Sequence, residues 1–351
     1  MTEILAVSTA FPAHKHPQGQ LTAKYADLAG LRRARRTLLE RLHQNAGVRT
    51  RHTVAPLHEY GTLGGIASRN DRYIAEATAL GERALTQALT RAGREPPDID
   101  LLVVTSVTGV AVPSIDARLI PRLGLRPDVK RLPIFGLGCV AGAAALSRVH
   151  DYLHGWPGHT AALLAVELCS LTVPAAGATT ADLVASGLFG DGAAALIASG
   201  TRAPGQPGGP RVIATRGEVF PDSTDALGWR LSEGGFRIVL TTDLSEVVES
   251  RLGSAITQFL AERGLTADDI GAWICHPGGP RVIDAVQRAL KLPDEAVAPS
   301  REALAEAGNL SSASVLHILE KVGDAGVTPG TFGLMIGLGP GVSAELVLLR
   351  W

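Results

Sequence analysis

Residues 84–105, ALTQALTRAGREPPDIDLLVVT, lie without a gap over residues 255–276, AITQFLAERGLTADDIGAWICH. At this offset of 171, seven positions are identical: Ala84/Ala255, Thr86/Thr257, Gln87/Gln258, Leu89/Leu260, Gly93/Gly264, Asp98/Asp269 and Ile99/Ile270. Each copy reads as an amphipathic helix, a glycine stop, a short Asp-containing turn and an apolar strand. Carried onward, the offset sets GCVAGAAAL (138–146) over NLSSASVLH (309–317), and TAALLAVEL (160–168) over TFGLMIGLG (331–339). Amphipathic helices resemble one another by chance, but a register that survives three elements points to duplication. Two βαβ-rich halves then predict an α/β fold of layered sheets and helices with pseudo-twofold symmetry. The apolar runs LLVVTSV, TAALLAV and GLMIGL read as strands of parallel-type sheets buried on both faces. The Gly/Pro-rich SGTRAPGQPGGPR (199–211) divides the chain into halves 1–210 and 211–351.

At 351 residues and 46% hydrophobic, the chain can bury a large core. Its 33 basic and 34 acidic residues, net −1, carry no bulk signal for a nucleic-acid or membrane partner. The opening MTEILAVSTAFPAHKHPQ lacks the basic flank and apolar length of a secretory signal. Glu167 and Pro174 interrupt the longest apolar stretch, which argues against membrane insertion. Cys139, Cys169 and Cys275 are too few for a disulfide framework, so the expected compartment is the reducing cytoplasm.

The halves differ where the first inserts CSLTVPAAGATTADLVASGLFGDG (169–192) before its next strand, while the second runs directly through GPGVSAELVLL. An extra segment near strand ends is a candidate pocket lid. Ligands of open α/β sheets collect at such ends, and three reactive side chains fall there. Cys139 follows IFGLG and opens a helix, where backbone N–H groups favour a thiolate; Cys169 reads instead as a buried, inert cysteine. His276 ends the strand GAWICH. Cys275-His276 makes a poor half metal site, because adjacent strand residues point to opposite faces and no second pair has ligand spacing; no metal is expected. Asn309 lies at a helix start that the repeat sets opposite Gly138, so it is more than a cap. Cys139, His276 and Asn309 would converge on one crevice between the halves.

The motifs GCVAGAA at Cys139, GLFGDGAAALI at Phe189, HPGGPRVID at His276, GNLSSAS at Asn309 and GLGPGVSAELVLL resemble those of type III polyketide synthases of the chalcone synthase superfamily, in order and over the whole chain. The resemblance is strongest to bacterial enzymes that extend long-chain acyl-CoA starters into alkylpyrones. It implies a thiolase fold, a homodimer and no bound cofactor. It also implies Cys139 as nucleophile, held as a thiolate by His276, which with Asn309 points donors at the thioester oxygen. Phe189 matches a gatekeeper beside the malonyl carboxylate; Cys169, Thr172 and Ser311 match cavity-lining positions; and the GLGPG loop with Gly339 and Pro340 matches the cavity floor.

Departures from the plant pattern place Ile238 where a second gatekeeper phenylalanine is expected, with Phe236 on the same strand face, and Trp229 where glycine is usual. Of the basic positions for coenzyme A phosphates Arg41 is kept. Leu38 and Asn45 replace lysines, and Arg32, Arg33, Arg35 and Arg36 are the available substitutes. The expected reaction condenses a long-chain acyl-CoA with malonyl-CoA or methylmalonyl-CoA and closes an alkyl-α-pyrone. Alkylresorcinol formation and a single-round ketoacyl-acyl carrier protein synthase III are the alternatives. Glu167 sits where resorcinol-forming relatives pair a carboxylate with Ser311 in an aldol-promoting network. The threonine of that network reads as Val107, which favours the pyrone.

Overall fold

The computed structural model describes residues 2–173, 177–201, 209–232, 235–241 and 244–351; most of the inter-half loop 199–211 therefore lies outside the described residues. Nine strands form the main sheet: β1 (Thr2–Ala10), β2 (Leu101–Thr105), β3 (Lys130–Ile134), β4 (Thr160–Leu168), β5 (Asp191–Ser199), β6 (Arg211–Val219), β7 (Ile270–Cys275), β8 (Phe332–Gly339) and β9 (Ser343–Arg350). Their spatial order is β7-β8-β9-β6-β1-β5-β4-β2-β3. Read outward from the centre, β1-β5-β4-β2 is matched by β6-β9-β8-β7, and β3 has no mate. The seam is a short antiparallel pairing of Thr2 with Val212 and Glu3 with Arg211.

The expectation of parallel-type sheets is corrected: β2–β3, β2–β4 and β7–β8 are parallel, and the remaining neighbours, including β4–β5 and β8–β9, are antiparallel. Unbroken apolar runs report burial on both faces, and here helices cover both faces whatever the strand direction.

Four helices build the layers. α1 (Ile66–Ala92) packs on the outside of β1, β5 and β4. α2 (Ala141–Gly155) touches β2 and β4 on one side and β8 and β9 on the other. α3 (Leu244–Ala261) covers the outer face of the second half, where Leu252 and Phe259 join Trp273 and Leu346 in one core. α4 (Ser314–Ala325), the mate of α2, packs on β1, β5, β7 and β8. α2 and α4 thus form a central layer shared by both halves. The result is the five-layered αβαβα thiolase fold.

The small residues AGAAALS let α2 approach that layer. A Cβ on Gly142 would lie 2.1 Å from the Ser312 carbonyl oxygen. Gly142→Ala is therefore expected to cost about 1–3 kcal/mol as an overpacked contact, seen as a lower urea midpoint; an unchanged midpoint would contradict this packing.

The register of the repeat slips before the central helices. Ala141 and Ser314 open them two positions beyond the offset of 171. Gly138 at φ 59° and Ser311 at φ 50° share the left-handed conformation at the same place. Ser311, not Asn309, is the mate of Gly138.

Candidate active site

Cys139 sits in a one-turn 3-10 segment, Gly138–Val140, that leads into α2. The mate turn, Ser311–Ala313, leads into α4. The two meet where Cys139 Sγ donates to Ser311 Oγ across 3.5 Å. The β8–β9 loop closes in from the side: a Cβ on Gly138 would strike Pro340 at 2.7 Å, and one on Gly339 would strike the Val140 nitrogen at 2.7 Å. Glycine at 138 is needed twice over, for its left-handed φ and for this approach.

In front of Cys139 opens a cavity with mainly apolar walls. Cys169, Thr172, Phe189, Ser311 and Pro340 all face it. The inserted segment 169–192 supplies a wall through Thr172, Asp182, Ala185 and Phe189; its residues 174–176 lie outside those described. A hairpin, Leu227–Ser232 paired with Gly235–Leu240, forms the opposite wall. Strand alternation sends Phe236 and Ile238 inward, with Ile238 directly across from Trp229. The Trp229 ring stands edge-on to Phe236 at 4.5 Å and to Phe135 at 5.9 Å, filling part of the opening.

Arg237, between the inward residues, pairs with the buried Asp182 at 3.0 Å. Asp182 also accepts from the Thr179 N–H, so it ties the hairpin to the start of the helix Thr180–Leu188. Sequence reasoning missed it, because T-x-x-D reads as a helix cap.

His276 and Asn309 lie beside this cavity rather than in its wall. Asn309 N–H donates to the Leu188 carbonyl, and its own carbonyl accepts from Gly190 N–H, so it brackets Phe189. Its Oδ1 accepts from Ser311 N–H at 2.8 Å and Ser314 Oγ at 3.3 Å, leaving Nδ2 without a hydrogen bond among the described residues. His276 follows β7 and donates its backbone N–H to the Ile336 carbonyl of β8, the strand that leads to Gly339 and Pro340. Its ring makes no hydrogen bond among the described residues, and Nδ1 is buried. Arg41 stands apart, exposed in the last turn of the helix Ala34–Gln44.

The electrostatics reverse one expectation. Burial pushes the Cys139 thiol up to about 12, against the lowering expected from a helix start. Burial also pulls the His276 imidazole down to about 4. Desolvation of the buried charge outweighs the field of a one-turn segment and the bond between Sγ and Ser311. Each group alone is held neutral.

Glu167 is fully buried and held by four donors: Ser106 Oγ at 3.3 Å, the Val107 N–H at 3.1 Å, Thr108 Oγ1 at 2.9 Å and Ser312 Oγ. This revises two sequence readings. Ser312 reaches the carboxylate in place of Ser311, and Thr108 restores the hydroxyl that Val107 lacks. Burial raises the pKa of the Glu167 carboxyl above its ordinary value. Among the described residues no cluster of His, Cys, Asp and Glu has the makings of a metal site.

A thiol at a duplicated helix start, facing a mainly apolar cleft in a thiolase fold, is the arrangement of an acyl-transferring enzyme. Family models for the N-terminal and C-terminal domains of chalcone and stilbene synthases match residues 1–201 and 211–351. The chain belongs to this family of type III polyketide synthases, which condense malonyl-CoA. It is 53% identical to a 1,3,6,8-tetrahydroxynaphthalene synthase of Streptomyces peucetius subsp. caesius, covering all of this chain and 93% of the relative. A synthase of the same name from Streptomyces griseus is 34% identical over 90% of this chain and 84% of its own length. The crystal structure of the Streptomyces coelicolor A3(2) tetrahydroxynaphthalene synthase superposes with a TM-score of 0.93 at 32% identity, covering 99% of both chains.

Proposed function

We propose that the enzyme uses malonyl-CoA as both starter and extender and releases a polyhydroxylated naphthalene. The observation that carries this reading is the Trp229–Phe236 pair with Ile238 in the wall facing Cys139, which shortens the space open to a starter tail. The product for which these relatives are named supports it: its ten-carbon perimeter bears oxygen at positions 1, 3, 6 and 8. With one ring-fusion carbon these are every second carbon, the pattern left by five two-carbon units. The fifth oxygen leaves as water when the second ring closes. Thr108 and Ser312 on Glu167 supply hydroxyls beside Cys139, which favours carbon–carbon ring closure over lactonisation.

In this reading Cys139 gives its proton to the ring of His276, and the thiolate attacks the starter thioester, expelling coenzyme A. Joint ionisation keeps the pair neutral overall, so neither the thiol near 12 nor the imidazole near 4 need ionise alone. Loss of carbon dioxide from malonyl-CoA leaves an enolate, whose oxygen accepts from Asn309 Nδ2 and the His276 ring. Each donor is worth about 3 kcal/mol in comparable sites. Phe189 keeps the malonyl carboxylate poorly solvated and favours its loss. The enolate carbon attacks the Cys139 thioester, the thiolate leaves, and the chain returns to coenzyme A for another round. Arg41 and its exposed arginine neighbours hold the coenzyme A phosphates.

The halves 1–210 and 211–351 are proposed as the two structural units. The exposed apolar residues Val110, Val112, Leu132, Phe135 and Leu137 support a homodimer. Three unpaired thiols support a cytoplasmic setting, and no described helix is long and apolar enough to cross a membrane. The second reading keeps a long-chain acyl-CoA starter, extended by malonyl-CoA or methylmalonyl-CoA to an alkyl-α-pyrone; the apolar cavity walls favour it.

Purified enzyme given radiolabelled malonyl-CoA alone is expected to yield an aromatic product with the mass of a tetrahydroxynaphthalene. An extended product appearing only after addition of lauroyl-CoA would replace the first reading with the second.

A further inference from the structure

Phe189 and Val173 border a second cavity as well as the one at Cys139. Three cations line it, Lys24, Arg51 and Arg69, and no carboxylate does. Arg51 is 6% exposed. Its Nε donates to Gln18 Oε1 at 3.0 Å and its Nη1 to the Phe189 carbonyl at 2.6 Å, and it makes no ion pair among the described residues. Arg69 likewise meets carbonyls, those of Gly64 at 3.2 Å and Val173 at 3.1 Å. Lys24, half-buried, has no hydrogen bond or ion pair among the described residues.

Asp191, which attracts Arg51 through space, spends its oxygens on the Val54 and Ser170 N–H groups and the Ser170 hydroxyl. Burying a guanidinium against neutral acceptors is unfavourable unless an anion joins it; desolvation pulls Arg51 down to about 10. The rest of the wall is mainly apolar or phenolic, with Leu21, Leu57, Tyr25 and Tyr60, and carries the hydroxyls of Thr53, Ser170 and Ser186.

We propose that this second cavity binds a small organic carboxylate with a compact apolar or aromatic body. Arg51 Nη2 and Lys24 take the carboxylate, and the body lies between the leucines and the two phenol rings. A fully hydrated inorganic anion suits these walls less well. The occupant bears on the reaction cavity: Arg51 holds the carbonyl of Phe189, whose neighbours Leu188 and Gly190 are bonded to the Asn309 backbone. The site stands whichever polyketide the enzyme makes.

Isothermal titration of the whole enzyme with 3,5-dihydroxybenzoate, with 3,5-dihydroxybenzyl alcohol as its neutral counterpart and with inorganic phosphate tests this. The carboxylate is expected to bind, the alcohol at least about tenfold more weakly, as the loss of one charge-assisted contact predicts. Lys24→Glu should weaken the carboxylate by a similar factor, and Ile238→Ala, in the other cavity, should leave its affinity unchanged. Arg51→Met should abolish binding where circular dichroism shows it folded; Lys24→Glu, at a partnerless position, keeps the test independent of that. Equal binding of acid and alcohol would overturn the proposal. So would tighter binding of phosphate, loss in Ile238→Ala but not in Lys24→Glu, or no heat at millimolar carboxylate.

Discussion

Cys139→Ala is expected to abolish condensation, with a loss of at least about 10⁴-fold, because it removes the atom that carries every acyl intermediate rather than one donor among several. Mass spectrometry of wild-type enzyme quenched with malonyl-CoA should find the acyl group on Cys139. Cys169→Ala should keep turning over: Cys169 faces the same cavity but is buried, and its thiol is held well above its ordinary range by desolvation and by Glu167 and Asp191. Label on Cys169, or equal loss in both variants, would mean that the nucleophile is wrongly assigned. Ser311→Ala is a finer probe. Its hydroxyl is the hydrogen-bond partner of Sγ and favours the thiolate, so alkylation of Cys139 by iodoacetamide near neutral pH should slow in that variant.

The fold was legible because duplication writes the same burial pattern twice. The helix, glycine stop and strand of 84–105 recur at 255–276, and both copies occupy equivalent places on the two sides of the β1–β6 seam. Strand direction was not legible, since a strand covered on both faces is apolar whether its neighbour runs parallel or antiparallel. The site was legible as motifs, and Phe189, Ile238, Cys169, Thr172, Trp229, Ser311 and Pro340 do meet Cys139 around one cavity. What failed were statements about one hydroxyl or one charge. The partner of Glu167 moved from Ser311 to Ser312, a shift of one residue in a turn, and the hydroxyl absent at 107 came from Thr108. The thiol went up rather than down, because enclosure by distant parts of the chain is invisible locally. Arg51 carried no motif at all; its burial and its lack of a carboxylate ion pair among the described residues exist only in three dimensions.

Acid should unfold the enzyme through its histidines. Burial, the largest cause in each case, lowers His43, His150, His276 and His317 to about 4. In the unfolded chain they titrate near 6.5. Between those values the unfolded chain binds protons that the folded chain refuses, so stability falls as pH falls. The contribution is complete above pH 6.5 and lost as pH drops toward 4, at about 3 kcal/mol per fully shifted histidine. Asp191 acts in the opposite sense. Its folded carboxyl is raised to about 6, chiefly by burial, so it takes up a proton in the folded state first and recovers part of the loss over the same window. Glu167, Glu320 and Glu345, also raised by burial, act in the same direction as Asp191. Four histidines against these carboxyls leave a net loss of several kcal/mol, a large share of the roughly 5–15 kcal/mol of a typical fold. Urea midpoints should therefore be nearly level from pH 8 to 7 and fall steeply below 6.5. His317, whose Nδ1 meets Thr9 Oγ1 at 3.1 Å away from the reaction cavity, isolates the effect: His317→Gln should lessen the slope by about one proton. A variant as acid-sensitive as the wild type would show that His317 is not one of the groups that drive the transition.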